Sequence, residues 1–166
     1  TFLYISKNKY QIFVYDKKNL RNLYNVELRI IEEIELKSLS KFLDENIYKI
    51  EKMISNFIRN IILIIEDDQI LSINISIKKK TYGKYINQKY LENNLIEVKD
   101  IFRENYQDQI IMHMIVINND INEKLLSNNL IINDDYLYLE VNFISISNSF
   151  TFILDKLLEN QQIKIG

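Results

Sequence analysis

Residues 50–74 read IEKMISNFIRNIILIIEDDQILSIN, and this stretch decides the fold class. Its first part completes a helical pattern over residues 39–57, in which apolar residues recur every three or four positions. Two short strands are predicted next, over residues 61–65 and 70–77, joined as a hairpin by the acidic turn 66–69. A helix followed by paired strands predicts an α+β fold, with a small antiparallel sheet packed against two to three helices.

Further strand and helix patterns lie on both sides of this stretch. The elements predicted before it are a β-hairpin over 2–6 and 10–15, a third strand over 20–30, and a helix N-cap at Ser38 or Ser40. The elements predicted after it are a helix over 89–104, a strand over 109–117, a polar loop over 118–135, a strand over 136–147 and a helix over 150–160.

Residue types that commonly carry out catalysis are scarce in this chain. Its 166 residues include one histidine, two glycines, no cysteine and no proline. Imidazole titrates near neutral pH and glycine lets backbone amides approach an anion, so their scarcity argues against an enzyme. Alanine is also absent, a bias typical of A/T-rich genomes, which weakens this argument except where a particular glycine is needed. The chain is predicted not to be an enzyme and to have no catalytic, metal-binding or cofactor-binding residues.

Charge and hydropathy argue against a nucleic-acid-binding protein and against a membrane-spanning one. The net charge is −2, with 47% hydrophobic and 27% charged residues, so no global bias towards nucleic acid or anionic membrane appears. No apolar run approaches the roughly 20 residues that a membrane-spanning helix needs, and no secretory signal is visible. The lack of cysteine fits a reducing compartment. Because the chain opens on Thr1 and not on methionine, a segment of a longer or processed protein is predicted.

Three patterns are candidate sites, and a structural explanation is favoured for each. His113 lies between two methionines without a patterned nucleophile or carboxylate, so a partly buried structural histidine is predicted. The acids Glu66-Asp67-Asp68 lack the ligand spacing and the glycine of a calcium loop, which favours a solvated hairpin tip. The run Lys78-Lys79-Lys80 with Tyr82 and Tyr85 resembles single-strand nucleic-acid binders, but without a broad basic field a strand end entering a loop is favoured.

Residues 50–74 are similar to a block of FtsA, the family of actin-like bacterial cell-division proteins. In that family a helix with an acid-base-Met triplet leads into a strand, a turn and a second strand reading Ser-Ile-Asn. The matching residues here are Glu51-Lys52-Met53 and Ser72-Ile73-Asn74. The family's glycine and proline residues around the turns are replaced, for instance by Ile54-Ser55 after the methionine.

The family's later landmarks follow in order along the chain. They are matched by Asp100 in the next helix, His113 in a strand resembling Leu-His-Val-Ile, Leu139-Glu140-Val141, and the run LDKLLE at residues 154–159. The region 118–135 lacks the family's Asp-Gly and Pro-x-Gly-Met elements. The resemblance covers residues 39–165 and implies the subdomain inserted into the actin-like fold, a small α+β unit of two helices and a three-stranded sheet.

The opening residues bear on nucleotide binding. FtsA proteins begin with a strand running into Asp-Ile-Gly-Thr-Ser-Lys, a hairpin that cradles nucleotide phosphates. In the matching run, Tyr4 replaces the acid, Ser6 the glycine and Lys7 the threonine, and only Lys9 remains. A side chain at the glycine position would crowd a turn that approaches a phosphate. Nucleotide binding by this segment is therefore not expected.

The resemblance implies the N-terminal part of an FtsA-like protein with two domains. Residues 1–36 would be strands of an actin-like (ribonuclease H-like) core, and residues 37–166 the inserted interaction subdomain with the strand and helix that follow it. The implied function is protein–protein contact in cell division: self-association with neighbouring subunits and recruitment of other divisome proteins, with no nucleic-acid partner. The implied location is the cytoplasm, peripheral to the inner face of the membrane at the septum, through a C-terminal segment outside residues 1–166.

Two alternatives stay open. The actin-like protein of type IV pilus assembly shares the architecture, and binding of a pilin-type peptide in the core would favour it. A small oligonucleotide-binding domain would use the lysine run and its neighbouring tyrosines, and salt-dependent binding to single strands would favour it.

Overall fold

The computed structural model describes residues 1–30, 36–68, 70–82, 86–117 and 136–166. The helices and strands in these ranges confirm the predicted α+β class. In chain order they are β1 (Phe2–Ser6), β2 (Lys9–Asp16), β3 (Arg21–Arg29), α1 (Leu36–Ile54), β4 (Asn60–Glu66), β5 (Leu71–Lys80), α2 (Gln88–Asn105), β6 (Gln109–Val116), β7 (Tyr136–Ser147), α3 (Asn148–Glu159) and β8 (Lys164–Ile165). Two compact units are formed: unit 1 is Thr1–Asp68 with Phe150–Gly166, and unit 2 is Gln69–Ser149.

Unit 1 is built on a five-stranded sheet in the order β3-β2-β1-β4-β8. The predicted opening strands are confirmed: β1, β2 and β3 form an antiparallel meander, and β4 and β8 then add in parallel. Alternate residues of β2 are buried, as the two-residue period of a strand requires. The core of unit 1 joins one face of this sheet to α1 and α3. Its largest fully buried side chains are Leu3, Ile5, Tyr10, Ile12, Leu39, Leu43, Ile50 and Ile61.

The predicted hairpin of β4 and β5 is wrong. Strand β4 pairs in parallel with β1, with Leu3 opposite Leu63 and Ser6 opposite Glu66, whereas β5 belongs to the sheet of unit 2. The reason lies in the side chains. Strand β4 is a continuous apolar run, as is common in parallel pairs, while β5 alternates isoleucine with polar residues and suits an antiparallel sheet with one solvated face.

The two compact units divide the chain at other positions than the predicted boundary between residues 36 and 37. Helix α1 and strand β4, which were predicted to belong to the inserted subdomain, lie in unit 1. Their buried residues pack with β1 and β2 in one hydrophobic core, so a boundary at residue 36 would cut through that core. In the chain, unit 2 lies between β4 and the part of α3 that begins at Phe150, and both of these belong to unit 1.

Unit 2 is an antiparallel sheet in the order β5-β7-β6 with α2 on one face. The strands and the helix predicted for this part are confirmed. The ring of Phe102 on α2 lies 4.7 Å from that of Phe143 on β7, measured between centroids. The side chain of Asn87 caps α2 by accepting a hydrogen bond from the backbone N–H of Tyr90 at 2.9 Å. The loop predicted over 118–135 lies outside the described residues.

Helix α1 begins and ends earlier than its apolar pattern predicts. It is already helical at Leu36, so Ser38 and Ser40 lie within the helix and do not cap it. At the other end, Ser55 adopts a φ of 53° and the backbone N–H of Asn56 donates to the carbonyl of Glu51 at 3.2 Å. A residue in the left-handed region with this hydrogen bond is a common helix terminator. Phe57 therefore lies beyond the helix and not on its buried stripe.

Replacing Ser55 with glycine is expected to stabilise the protein by about 0.5–1 kcal/mol, since glycine adopts the left-handed conformation without the clash of a β-carbon. Urea unfolding followed by far-UV circular dichroism measures the change. Ser40→Gly is the matched control, because glycine inside a helix should cost about 0.5 kcal/mol relative to serine. Destabilisation by the substitution at residue 55 would contradict this description of the helix end.

Candidate functional site

The first candidate site is the edge where β1 and β4 end side by side. Because the two strands are parallel neighbours, their carboxyl ends meet at one edge of the unit 1 sheet, which is where ligands commonly bind in open sheets. The hydroxyl of Tyr4 donates a hydrogen bond to the carboxylate of Glu66. The ammonium of Lys7 forms an ion pair with the carboxylate of Asp68. Both acids thus bind groups of the opening hairpin, and the predicted solvated hairpin tip is instead a strand end.

The remaining positions of the opening hairpin are also engaged within the chain. Ser6 is buried, and its hydroxyl donates to the carbonyl of Lys9 at 3.3 Å. The ammonium of Lys9 lies 5.0 Å from the centroid of the Tyr4 ring and 3.9 Å from the Glu27 carboxylate. The hydrogen bond to Glu66 raises the pKa of Tyr4 above its ordinary value, so the phenol stays protonated. This edge carries a hydrogen-bonded side-chain network at the positions that the sequence resemblance matches to a phosphate hairpin.

His113 and the acidic residues do not form a metal-binding cluster among the described residues. No group of three or more His, Asp or Glu side chains in these ranges is placed to hold a metal ion. His113 is exposed on β6 next to a register shift between Ile111 and His113, so the prediction that it is partly buried is wrong. A bulge of this kind interrupts the regular alternation of side chains between the two faces of a strand.

The three lysines lie within a strand and not in a loop, because β5 continues through Lys80. Lys79 points to the helix side of unit 2 and forms an ion pair with Glu97 of α2. Lys78 lies on the opposite side, with its ammonium 4.7 Å from the centroid of the Tyr136 ring. The ammonium of Lys80 lies 5.4 Å from the ring of Tyr82. The predicted partner Tyr85 lies outside the described residues.

Sequence reasoning missed the contribution of β7 to this cluster. Tyr136 and Tyr138 lie opposite Lys80 and Lys78 in the β5–β7 register, although more than 50 residues separate the two strands in the chain. The available signal was the alternation of tyrosine with leucine at the start of β7, which places both rings on one face.

The face of the unit 2 sheet that points away from α2, here called the outward face, has a polar half and an apolar half. On the polar half, the amide of Asn142 donates to Asn74 at 2.7 Å and to Ser72 at 2.9 Å. The apolar half lies along β6 and is here called the β6 patch. It consists of Ile110, Met112, Ile115 and Ile117, whose side chains are 38–49% exposed.

Comparisons with known proteins find similarity among solved structures. No helix in the described ranges is long and apolar enough to cross a membrane. No protein-family model matches the chain, and no curated protein matches it. Among solved structures, the chain is similar to a protein of Bacteroides thetaiotaomicron VPI-5482 with an actin-like ATPase fold and unknown function, at 14% identity and a TM-score of 0.36. The match covers 99% of this chain and 49% of that protein, so the chain spans about half of its length.

Proposed function

We propose that this chain is part of an actin-like protein of the FtsA type and that it acts through protein–protein contacts made by unit 2. Two features support the proposal. The ordered FtsA-like motifs imply an actin-like core with an inserted subdomain, and unit 2 enters the chain between two elements of unit 1. Its partners would be a second copy of the chain and other division proteins at the inner face of the membrane. This choice of partners rests on the sequence resemblance.

The β6 patch is the observation that carries the proposal. Isolated apolar side chains are common on protein surfaces, but neighbouring ones on one strand form an apolar surface typical of interaction sites. Removing such surface from water contributes roughly 25 cal/mol per Å². The polar half of the same face, with Asn74 and Asn142, would form the hydrated rim that surrounds the apolar centre of an interface.

The edge of β1 and β4 supports a function without nucleotide chemistry in this segment. A phosphate hairpin needs free backbone amides and a carboxylate that can organise a metal ion. Here Glu66 accepts the Tyr4 hydroxyl, Asp68 is paired with Lys7, and the side chain of Ser6 fills the position of the family's glycine. The proposed activity is therefore association, with no hydrolysis by this segment.

Replacing Ile115 with lysine is expected to weaken self-association by at least about tenfold. The substitution places a charge at the most exposed member of the β6 patch, and burying an unpaired ammonium in an interface is unfavourable. Sedimentation velocity over a range of protein concentrations measures the effect. The wild-type sedimentation coefficient should rise with concentration, and that of the variant should stay near the monomer value.

The matched control for this experiment is Ile64→Lys in unit 1. Ile64 is an isoleucine of similar exposure on a strand, but it lies outside unit 2. Its replacement should leave the concentration dependence unchanged. The proposal fails if the wild-type chain stays monomeric at every concentration, or if the control loses association while Ile115→Lys keeps it.

A further inference from the structure

The segment after α1 holds a large aromatic side chain in water. Phe57 is 77% exposed, yet the backbone on both sides of it is fixed by hydrogen bonds. The N–H of Phe57 donates to the side chain of Asn56 at 2.9 Å. The N–H of Ile58 donates to the carboxylate of Glu51 at 2.9 Å, and the Ile58 side chain is buried in the core of unit 1. Ser55, whose backbone is in the left-handed region, begins this segment. The exposed position of Phe57 is therefore fixed by the backbone conformation around it.

Two adjoining depressions flank the Phe57 ring on the surface of unit 1. One has a volume of about 500 Å³ and lies towards Tyr48, which is 68% exposed, and Lys52. The other has a volume of about 540 Å³ and lies towards Arg59 and Lys164. Phe57 and Glu51 line both of them. Together they are here called the Phe57 groove, and two aromatic side chains, Phe57 and Tyr48, line it.

The charge around the Phe57 groove is positive. Lys52, Arg59 and Lys164 line it, and none of the three forms an ion pair with another described residue. Glu51 is the single acid among the described lining residues, and its carboxylate already accepts the Ile58 N–H. A ligand in this groove would therefore meet three cations and two aromatic rings.

We propose that the Phe57 groove binds an acidic peptide segment of another protein, with an apolar side chain of that segment packed against Phe57 and Tyr48. Aromatic residues and arginine are the side chains that most often dominate binding energy at interfaces. The cations complement carboxylates on the peptide and would speed its association. This surface belongs to unit 1 and is separate from the β6 patch, so it adds a second contact to the self-association proposed above.

The test selects phage-displayed random peptides on the immobilised chain and measures the affinity of the enriched peptides by fluorescence anisotropy. The selected peptides should be enriched in aspartate and glutamate around an aromatic or aliphatic residue. Their affinity should fall about tenfold in Phe57→Ala and in Arg59→Glu, both of which change exposed side chains and leave the core intact. The affinity should also decrease with rising salt.

Ile115→Lys is the control that separates this site from the β6 patch, and it should bind the selected peptides as tightly as the wild-type chain. Three results would overturn the proposal: selected peptides without enrichment in acids, affinity unchanged in Phe57→Ala, or no enriched peptide at all. Binding of the chain to phosphatidylserine vesicles that is lost in Phe57→Ala, without peptide binding, would assign the groove to a membrane surface and overturn it as well.

Discussion

Replacing Phe143 with alanine is expected to destabilise unit 2 by about 3–5 kcal/mol. Phe143 is fully buried on the central strand β7, and its ring stacks on Phe102 of α2, so it joins the sheet to the helix. Truncation removes this stacking and leaves a cavity that a close-packed core fills only in part. Since a whole domain is stable by only 5–15 kcal/mol, the loss is a large fraction of the stability of unit 2.

Hydrogen exchange read by mass spectrometry measures this effect separately for the peptides of each unit. Faster exchange is expected in β5, β6, β7 and α2. Phe152→Ala is the matched control, because Phe152 lies exposed on α3 with its ring near Lys156, and its loss should cost less than about 1 kcal/mol. Equal effects of the two substitutions would contradict the core described for unit 2.

Replacing Ile61 with alanine is expected to destabilise unit 1 by about 2–5 kcal/mol. Ile61 is fully buried in the core of unit 1, on the strand that pairs with β1 on one side and β8 on the other. The next residue, Ile62, points to the opposite face of the sheet and is 44% exposed. Its replacement by alanine removes the same atoms but much less buried surface, so a smaller cost is expected.

The difference between these neighbouring substitutions is read from urea unfolding followed by far-UV circular dichroism. A larger shift of the unfolding midpoint for Ile61→Ala than for Ile62→Ala would agree with a strand β4 that buries the face carrying Ile61 and exposes the face carrying Ile62. If the two variants shift the midpoint equally, the assignment of the faces of β4 is contradicted.

The helices and strands follow from local patterns, but their pairing does not. The alternation in β5 and the apolar run of β4 predict two strands, and both are present. Their short connection suggested a hairpin, since neighbouring strands in the chain often pair. The pairing of β4 with β1 depends instead on a core shared with residues about 60 positions earlier, which no local pattern contains. The limits of unit 2 follow from the same long-range pairing, so no local pattern predicts them either.

The candidate sites show the same division between local and distant information. Tyr4 and Ser6 could be read directly from the sequence as candidate residues, but the partner of Tyr4 could not, because Glu66 reaches Tyr4 only through the parallel pairing. The apolar pattern over residues 39–57 predicts that Phe57 continues the apolar stripe of α1. The helix instead ends before Phe57, because Ser55 adopts a left-handed φ that the pattern of apolar residues does not contain.

Methionine oxidation tests the central claim, contact through the β6 patch, most directly. The three methionines of the chain are Met53, Met112 and Met114. Met112 in the β6 patch and Met53 at the end of α1 are similarly exposed, at 41% and 43%, so Met53 serves as the control for Met112. Exposed methionine is converted to its sulfoxide by peroxide, and the extent at each residue can be read by peptide mass spectrometry.

The measurement compares the rates of oxidation of Met112 and Met53 at low and high protein concentration. We predict that Met112 oxidises several-fold more slowly at the concentration where the chain self-associates, because the interface covers it, while the rate at Met53 stays the same. Protection of Met53 in place of Met112, or rates that do not change while the chain associates, would contradict contact through the β6 patch.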